Sequence, residues 1–264
     1  MEESIQRVRA FYNETVESEW RRIAGKPEFI ITCRFLDRFM KPGDTVLDIG
    51  GGPGRYSKYL LDKGCDVTLY DLSEENVRFA LEMNPTLKAL AGDAREVDKK
   101  VEGVFDHVLL MGPLYHLQEE KDRIQAVNAA LRLLKPGGML FVSFISAHAG
   151  IIYLMKDAPE VLASNPREIE FMNLVIADKP FTGIGFTSNH FIRQKDVLPF
   201  MAQFPLEKRH LFGQESILAP CERTILAQSP EVYARWLDLA EMLSEREEFL
   251  SWAEHLMYVG EKLK

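Results

Sequence analysis

With 264 residues, 46% of them hydrophobic and 27% charged, the chain can bury a substantial core as one large domain or as a domain with an elaborated cap. A formal net charge of −8 and the lack of a dense Lys/Arg cluster speak against nucleic acid, whose binding rests on neutralising phosphates with a basic face. No apolar leader opens the chain, and the uncharged run from Pro136 to Met155 is interrupted by Gly137, Gly138, Ser143, Ser146, His148 and Gly150; it reads as a buried strand entering a short helix rather than a membrane span, and the expected location is the cytoplasm.

Residues 1–40 read as helices. Ile5, Val8 and Tyr12 recur at helical spacing, and Phe29, Ile30, Phe35, Leu36 and Phe39 form a second apolar stripe that "KPGD" stops. From residue 44 short apolar runs alternate with helical ones. "TVLDIG" (45–50) reads as a strand, 55–63 as a helix closed by Gly64, and "DVTLY" (66–70) as a second strand. Ser73 then caps a helix whose first turn carries Glu74 and Glu75, favourable at the positive end of the helix dipole. "LKALAGD" (87–93), "FDHVLLM" (105–111) and "MLFVSFI" (139–145) follow as strands, with an amphipathic helix over 119–134 showing Ile124, Val127, Leu131 and Leu134 on one face. Strands alternating with helices predict an α/β fold, a parallel sheet with right-handed crossovers.

After Ile145 the rhythm lapses. Residues 147–187 read as one or two helices, the second opened by Asn165-Pro166, followed by a glycine-bearing loop, "FTGIGF" (181–186). A helix over 194–204 and a sixth strand, "LEKRHLFG" (206–213), come next. Ser229-Pro230 opens a long helix with Val232, Trp236, Leu239 and Leu243 expected on its buried side, and "HLMYVGEKL" (255–263) is the final strand.

The first strand runs into "GGGPG" (50–54), where missing side chains allow a tight turn and close approach of a ligand. Gly50, Gly52 and Gly54 give G-x-G-x-G, but Arg55 stands where the dinucleotide fingerprint has its third glycine, and no Gly-Lys-Ser/Thr follows for a P-loop. Asp48, just ahead of the loop, would repel a pyrophosphate and tolerate a cation, so the loop reads as built for a nucleoside without phosphates. Asp71 ends the second strand, where a doubly wound sheet places the acid that accepts from ribose hydroxyls. Asp93, after the third strand, lies at the same sheet edge, suited to accept from an adenine amino group; bonds of this charge-assisted kind contribute about 1.5–3 kcal/mol.

"VLDIGGGPGRYS", "DVTLYDLSEENV", "LAGDAREV", "FDHVLLMGPLYHL" and "LKPGGMLFVSFI" resemble, in order and spacing, the motif series of the class I S-adenosylmethionine-dependent methyltransferases over residues 42–146. The resemblance implies a Rossmann-like, doubly wound, seven-stranded sheet whose last strand is antiparallel, which suits 255–263. It implies S-adenosyl-L-methionine as cofactor, with Gly50, Gly51 and Gly52 along the methionine moiety and Asp71 on the ribose. Leu72 would pack on the adenine ring, Asp93 and Ala94 would flank it, Asp48 would help orient the amino-acid end, and the Met111–Gly112 backbone would pass beside the cofactor.

Methyl transfer needs an electron-rich atom held in line behind the methyl group, and a base only where the acceptor must lose a proton. His116, at the mouth of the site beside Tyr115, is the first candidate for that base; His148 and His190 are secondary, while His107 and His255 read as structural strand residues. Met-Gly-Pro-Leu (111–114) departs from the Asn/Asp-Pro-Pro-Tyr/Phe that family members acting on adenine or glutamine nitrogens carry. Tyr12, Trp20, Phe181 and Phe186 are candidates to pack over the acceptor or the sulfonium, and Arg21 or Arg22 to meet the cofactor's carboxylate. Cys33, Cys65 and Cys221 lie far apart without a CxxC, and the histidines show no HxxxH or HExxH spacing, so reduced thiols and no metal are expected.

The expected division is an N-terminal helical cap (1–41), the cofactor-binding core (42–146), an inserted helical lid (147–193) and a C-terminal completion of the sheet (194–264). The expected function is methyl transfer to a small-molecule acceptor. A tRNA or protein methyltransferase and a non-catalytic cofactor-binding subunit are the alternatives; oligomeric state is not legible.

Overall fold

In the computed structural model, which describes residues 2–264, three helices open the chain: α1 (Glu2–Glu14), α2 (Val16–Arg22) and α3 (Pro27–Leu36). The apolar runs then form β1 (Thr45–Ile49), β2 (Asp66–Asp71), β3 (Lys88–Ala91), β4 (Phe105–Leu110) and β5 (Leu134–Ile145), with α4 (Arg55–Asp62), α5 (Glu74–Met83) and α6 (Glu120–Leu133) as crossovers. Ser73 caps α5 as its sequence position predicts, its hydroxyl accepting from Asn76 N. Next come α7 (Ala149–Asp157), α8 (Val161–Ser164), α9 (Pro166–Ile176), β6 (Phe181–Ile184), β7 (Ser188–Phe191) and α10 (Gln194–Met201). The chain closes with β8 (Leu206–Gly213), α11 (Glu222–Leu226), α12 (Pro230–Leu243), α13 (Glu247–Leu250) and β9 (His255–Lys262).

Seven of the strands make one sheet in the order β3-β2-β1-β4-β5-β9-β8. The first five run parallel, and β9 slots antiparallel between β5 and β8, as the expected seven-stranded doubly wound sheet requires. Successive side chains alternate between the two faces: Leu47, Ile49, Val108, Leu110, Leu140 and Val142 enter one buried cluster, Val46, Leu109, Met139 and Phe141 the other. Burial on both faces is why these strands read as near-continuous apolar runs. Asp48 breaks that rule, a fully buried carboxylate in the interior strand β1. No helix among the described residues is long and apolar enough to cross a membrane.

Two local expectations need correction. "FTGIGF" is a β-hairpin arm rather than a loop: β6 pairs antiparallel with β7, Phe181 opposite Phe191, and the turn is tied by Gly185 N to Thr187 O. A glycine-rich stretch hid the alternation. The α12 stripe is also turned partly outward, with Leu243 half-buried. Val232, Trp236 and Leu239 are exposed, while Leu237 and Ala240 are buried. The helix is rotated by about one residue because Arg34 of α3 pairs with Asp238 and Glu241, Arg38 pairs with Glu241, and the Tyr233 hydroxyl donates to Gly25 O.

Candidate active site

The strand order reverses between β1 and β4, and a doubly wound sheet leaves its crevice at the carboxyl ends of the strands flanking such a point. The glycine loop turns there. Gly50 has φ +77°, and a Cβ on it would come 2.4 Å from Cδ of Pro113, so β1 and the segment after β4 approach only because no side chain intervenes. Gly52 has φ +55°, and a Cβ there would find only Asn76 Nδ2, at 3.9 Å; the loop is left open on that side.

Asp71 holds this loop. Its Oδ2 accepts from Gly52 N at 2.8 Å, while Oδ1 accepts from Ser73 N at 2.9 Å and Asn76 Nδ2 at 3.1 Å. Burial lifts its pKa, and these donors oppose the rise. Oδ2, with one donor, keeps a lone pair for a further one, while Oδ1 is filled by two. Asp48 accepts from the Ser57 hydroxyl at 2.7 Å through Oδ2, and its Oδ1 is buried without a partner. Burial pushes Asp48 up to about 6, with Asp71 adding to the rise and Ser57 opposing it. A carboxyl with a raised folded pKa lends stability below its ordinary value near 3.8 and loses it as pH climbs through about 6. Asp48→Asn is therefore expected to raise the unfolding free energy at pH 7.5 by roughly 1–3 kcal/mol and to lack the wild-type decline between about pH 4 and 6. Urea denaturation at pH 4.5 and 7.5 checks this; a variant less stable than wild type at pH 7.5 contradicts it.

All the residues assigned to the site from sequence line one cleft: Asp48, Gly50, Gly51, Gly52, Asp71, Leu72, Asp93, Ala94, Met111 and His116. Two of them carry engagements that sequence did not reveal. Asp93 accepts from Arg95 N at 2.9 Å and is clamped by the Arg95 guanidinium. His116 donates from Nδ1 to Ser188 O (3.0 Å), since a carbonyl can only accept, which leaves Nε2 to accept from the Tyr12 hydroxyl at 2.8 Å. Burial drops His116 to about 4, so the ring is neutral.

The other expected residues divide. Tyr12 and Arg22 line the cleft, while Phe181 and Phe186 line a second cavity. Trp20 lies under the Arg55 guanidinium, 3.9 Å from its ring centre, and Arg21 pairs with Glu17 on the surface. His148 bonds within its own turn to Ser146, His190 to Thr182, and His107 to Asp44; none of the three lines either cavity. His255, expected to be structural, lines both cavities.

The second cavity holds about 800 Å³, is lined by aromatic and apolar side chains including Phe11, Tyr153, Phe171, Leu174 and Phe191 and by the charged Arg167, Glu168 and Glu170, and meets the cleft at Tyr12, Glu19, Arg22, Tyr115 and His255. At this junction charges alternate. Arg22 Nη1 donates to Glu28 at 2.8 Å, His255 Nδ1 lies 2.6 Å from Glu215 Oε1, and His255 N donates to Glu215 Oε2 at 3.0 Å. Burial alone would depress His255, but Glu215 and Glu28 outweigh it and, against Arg22, lift it to about 9. Ligand atoms of Glu28, Glu215 and His255 fall within 4.8 Å of one another, a spacing open to a cation, yet Arg22 and the imidazolium already balance the two carboxylates. Sequence reasoning named Arg22 and His255 but missed the grouping, because its members come from three distant stretches, 22–28, 215 and 255.

Residues 46–138 match the family model described as a methyltransferase domain. Among similar curated proteins, the ubiquinone biosynthesis O-methyltransferase of Cronobacter sakazakii is 27% identical over 65% of each chain. The demethylmenaquinone methyltransferase of Beutenbergia cavernae is 29% identical over 53% of this chain and 61% of its own. The chain thus matches slightly under two thirds of the length of these relatives. Of the solved structures, a TehB-like SAM-dependent methyltransferase from Corynebacterium glutamicum superposes with a TM-score of 0.56 at 19% identity, covering 96% of this chain and 98% of that one. The 1,6-didemethyltoxoflavin-N1-methyltransferase of Burkholderia thailandensis gives 0.59 at 14%, covering 100% and 90%; at such identities the likeness is one of fold. Residues 46–138 thus carry a methyltransferase domain, and the motif order and antiparallel β9 around it are those of the class I S-adenosylmethionine-dependent methyltransferase fold.

Proposed function

We propose that the chain is an enzyme that moves the methyl group of S-adenosylmethionine to a small, largely apolar acceptor seated in the aromatic cavity. The junction of cleft and cavity carries this reading: a donor held against the glycine loop and an acceptor among Phe171, Phe181 and Phe191 would meet at Tyr12, Tyr115 and His255. Two relatives named for ubiquinone and demethylmenaquinone agree with a ring-shaped acceptor.

The residues present suit the cofactor. Asp71, already oriented by Gly52 N and Asn76, would accept from the ribose hydroxyls, and the open side of Gly52 leaves room for the methionine end. Leu72 and Ala94 would flank the adenine, Asp93 would face its amino group from behind the Arg95 clamp, and Met111 would lie alongside. Asp48, with its unpartnered Oδ1, would orient the amino-acid end through the loop and favour a cation. When bound, the cofactor supplies a methyl group already activated on a sulfonium. The chain's task is to align the acceptor and exclude water, a positioning effect of about 7–11 kcal/mol at best.

Residues 1–41 act as the cap, 42–146 as the cofactor core, 147–193 as the acceptor lid and 194–264 as the completion of the sheet. As closed by α1 and α2 the cleft holds about 140 Å³, below the roughly 300 Å³ at which small-molecule sites begin. Those helices are suited to part: α2 buries no residue and α1 only Val8. The cytoplasm fits unpaired Cys33, Cys65 and Cys221.

Calorimetry with S-adenosylhomocysteine should give a saturable heat, and NADH or ATP none; the opposite pattern would overturn the cofactor assignment. Labelled S-adenosylmethionine should then label a small-molecule extract and leave total tRNA unlabelled on a filter. Label on tRNA or on protein alone would favour the macromolecular alternative, and binding without any transfer the non-catalytic one.

A further inference from the structure

We propose that His255, held in place by Glu215, is the base that takes the acceptor's proton, and that the acceptor presents an aromatic hydroxyl to it. This rests on the methyl-transfer reading above and goes beyond it by naming a catalytic group and a substrate class.

The position comes first. His255 begins β9 directly opposite Ile145, the last residue of β5, so the antiparallel strand delivers it to the same sheet edge as the glycine loop. It lines both the cleft and the aromatic cavity, where a donor in one and an acceptor in the other must meet. Glu215 fixes the ring twice, through Nδ1 and through the backbone N, and Nε2 has no protein partner among the described residues. A ring held by a carboxylate on one nitrogen and free on the other is the arrangement a general base needs. His116 lacks the carboxylate: its Nδ1 is held by the Ser188 carbonyl, and its Nε2 meets the Tyr12 hydroxyl while α1 lies closed over the cleft.

The acceptor class follows from matching. Phe171, Phe181, Phe186 and Phe191 wall the cavity beyond the junction, which suits a flat ring. The charged groups around His255 are Glu215 ahead of α11, Glu28 of α3, Arg22 and Glu19 of α2, and Glu254 beside it, paired with Lys156 of α7; Tyr115 packs nearby. Their balance lifts the imidazole to about 9, close to an aromatic hydroxyl, whose ordinary value is about 10. Near-equal proton affinities favour transfer between the two. A carboxylate acceptor is already ionised and needs no base, and an aromatic amine attacks through its own lone pair without one.

In the balanced step the acceptor O–H breaks and its proton goes to Nε2. A lone pair of the oxygen forms the new O–C bond to the methyl carbon. The electron pair of the broken S–C bond stays on sulfur, leaving a neutral thioether, while the imidazolium rests against Glu215.

The test uses the full chain with S-adenosylmethionine and three ring acceptors of one shape: 4-methylphenol, 4-methylaniline and 4-methylthiophenol. Transfer is expected to the phenol. Its kcat/KM should climb about tenfold per pH unit below about 9, the limb moving to lower pH in Glu215→Gln. His255→Gln should lower kcat about 100-fold. S-adenosylhomocysteine affinity in both variants should stay close to wild type, which also shows that they fold. Transfer only to the amine or thiol, no transfer to any ring while S-adenosylhomocysteine still binds, or a His255→Gln enzyme as fast as wild type would each overturn the proposal. Failure of the wild-type chain to bind S-adenosylhomocysteine would instead bring down the broader reading.

Discussion

Alanine in place of Asp71 is expected to weaken S-adenosylhomocysteine binding about 100-fold, a loss of about 2.7 kcal/mol. Two effects add. The carboxylate would lose its charge-assisted bonds to the ribose hydroxyls, worth about 1.5–3 kcal/mol. It would also release Gly52 N, Ser73 N and Asn76 Nδ2, which it now holds at 2.8, 2.9 and 3.1 Å, so the glycine loop would have to be ordered by the ligand itself. Asp71→Asn keeps an acceptor without the charge and should fall between wild type and alanine. Titration calorimetry on the three proteins measures the series; an Asp71→Ala affinity within threefold of wild type would remove Asp71 from the binding set.

Glu215→Ala is expected to cost about 3 kcal/mol of stability at pH 6.5, and the cost is expected to shrink toward pH 10. His255 is raised in the folded chain from 6.5 to about 9, so the stability it contributes is complete below about pH 6.5 and is lost as pH rises through about 9. Without Glu215 the buried imidazolium keeps only Glu28, which Arg22 already claims. Removing one member of a buried ion pair costs about 3–5 kcal/mol, because the partner is left uncompensated. Above about pH 9 the ring is neutral and only hydrogen bonds are at stake, each worth about 1 kcal/mol. Urea denaturation of both proteins at pH 6.5 and 10 decides it. An equal gap at the two pH values would mean that the pair is held by neutral hydrogen bonding alone.

The Glu215–His255 pair illustrates what a linear reading cannot reach. Glu28, Glu215 and His255 gather within 4.8 Å although they come from α3, the turn before α11 and the first residue of β9. Nothing near His255 in "AEHLMYV" announces a partner, and a histidine entering a strand is ordinarily structural. His116 shows the converse. Its place after β4 is legible, but Tyr12 and Ser188, which occupy both its nitrogens, arrive from α1 and β7. The α12 stripe failed for a related reason. Val232, Trp236 and Leu239 and the truly buried Leu237 and Ala240 lie one residue apart on the helix, and the ion pairs of Arg34 and Arg38 choose between them.

What the sequence determined by itself was everything set by neighbours along the chain. Apolar runs buried on both faces specify the parallel strands, Ser73 specifies the start of α5, and the glycines specify a turn that only residues without a Cβ can make where Pro113 approaches. Asp48, Asp71 and Asp93 follow from these, because strand ends of a doubly wound sheet converge on one edge whatever lies elsewhere. Only the tertiary structure decided which histidine stands where the two cavities meet, which face of α12 is covered, and where the aromatic cavity joins the cleft. Those outcomes depend on the balance of charge, burial and packing among segments far apart in the chain, and no local pattern encodes such a balance.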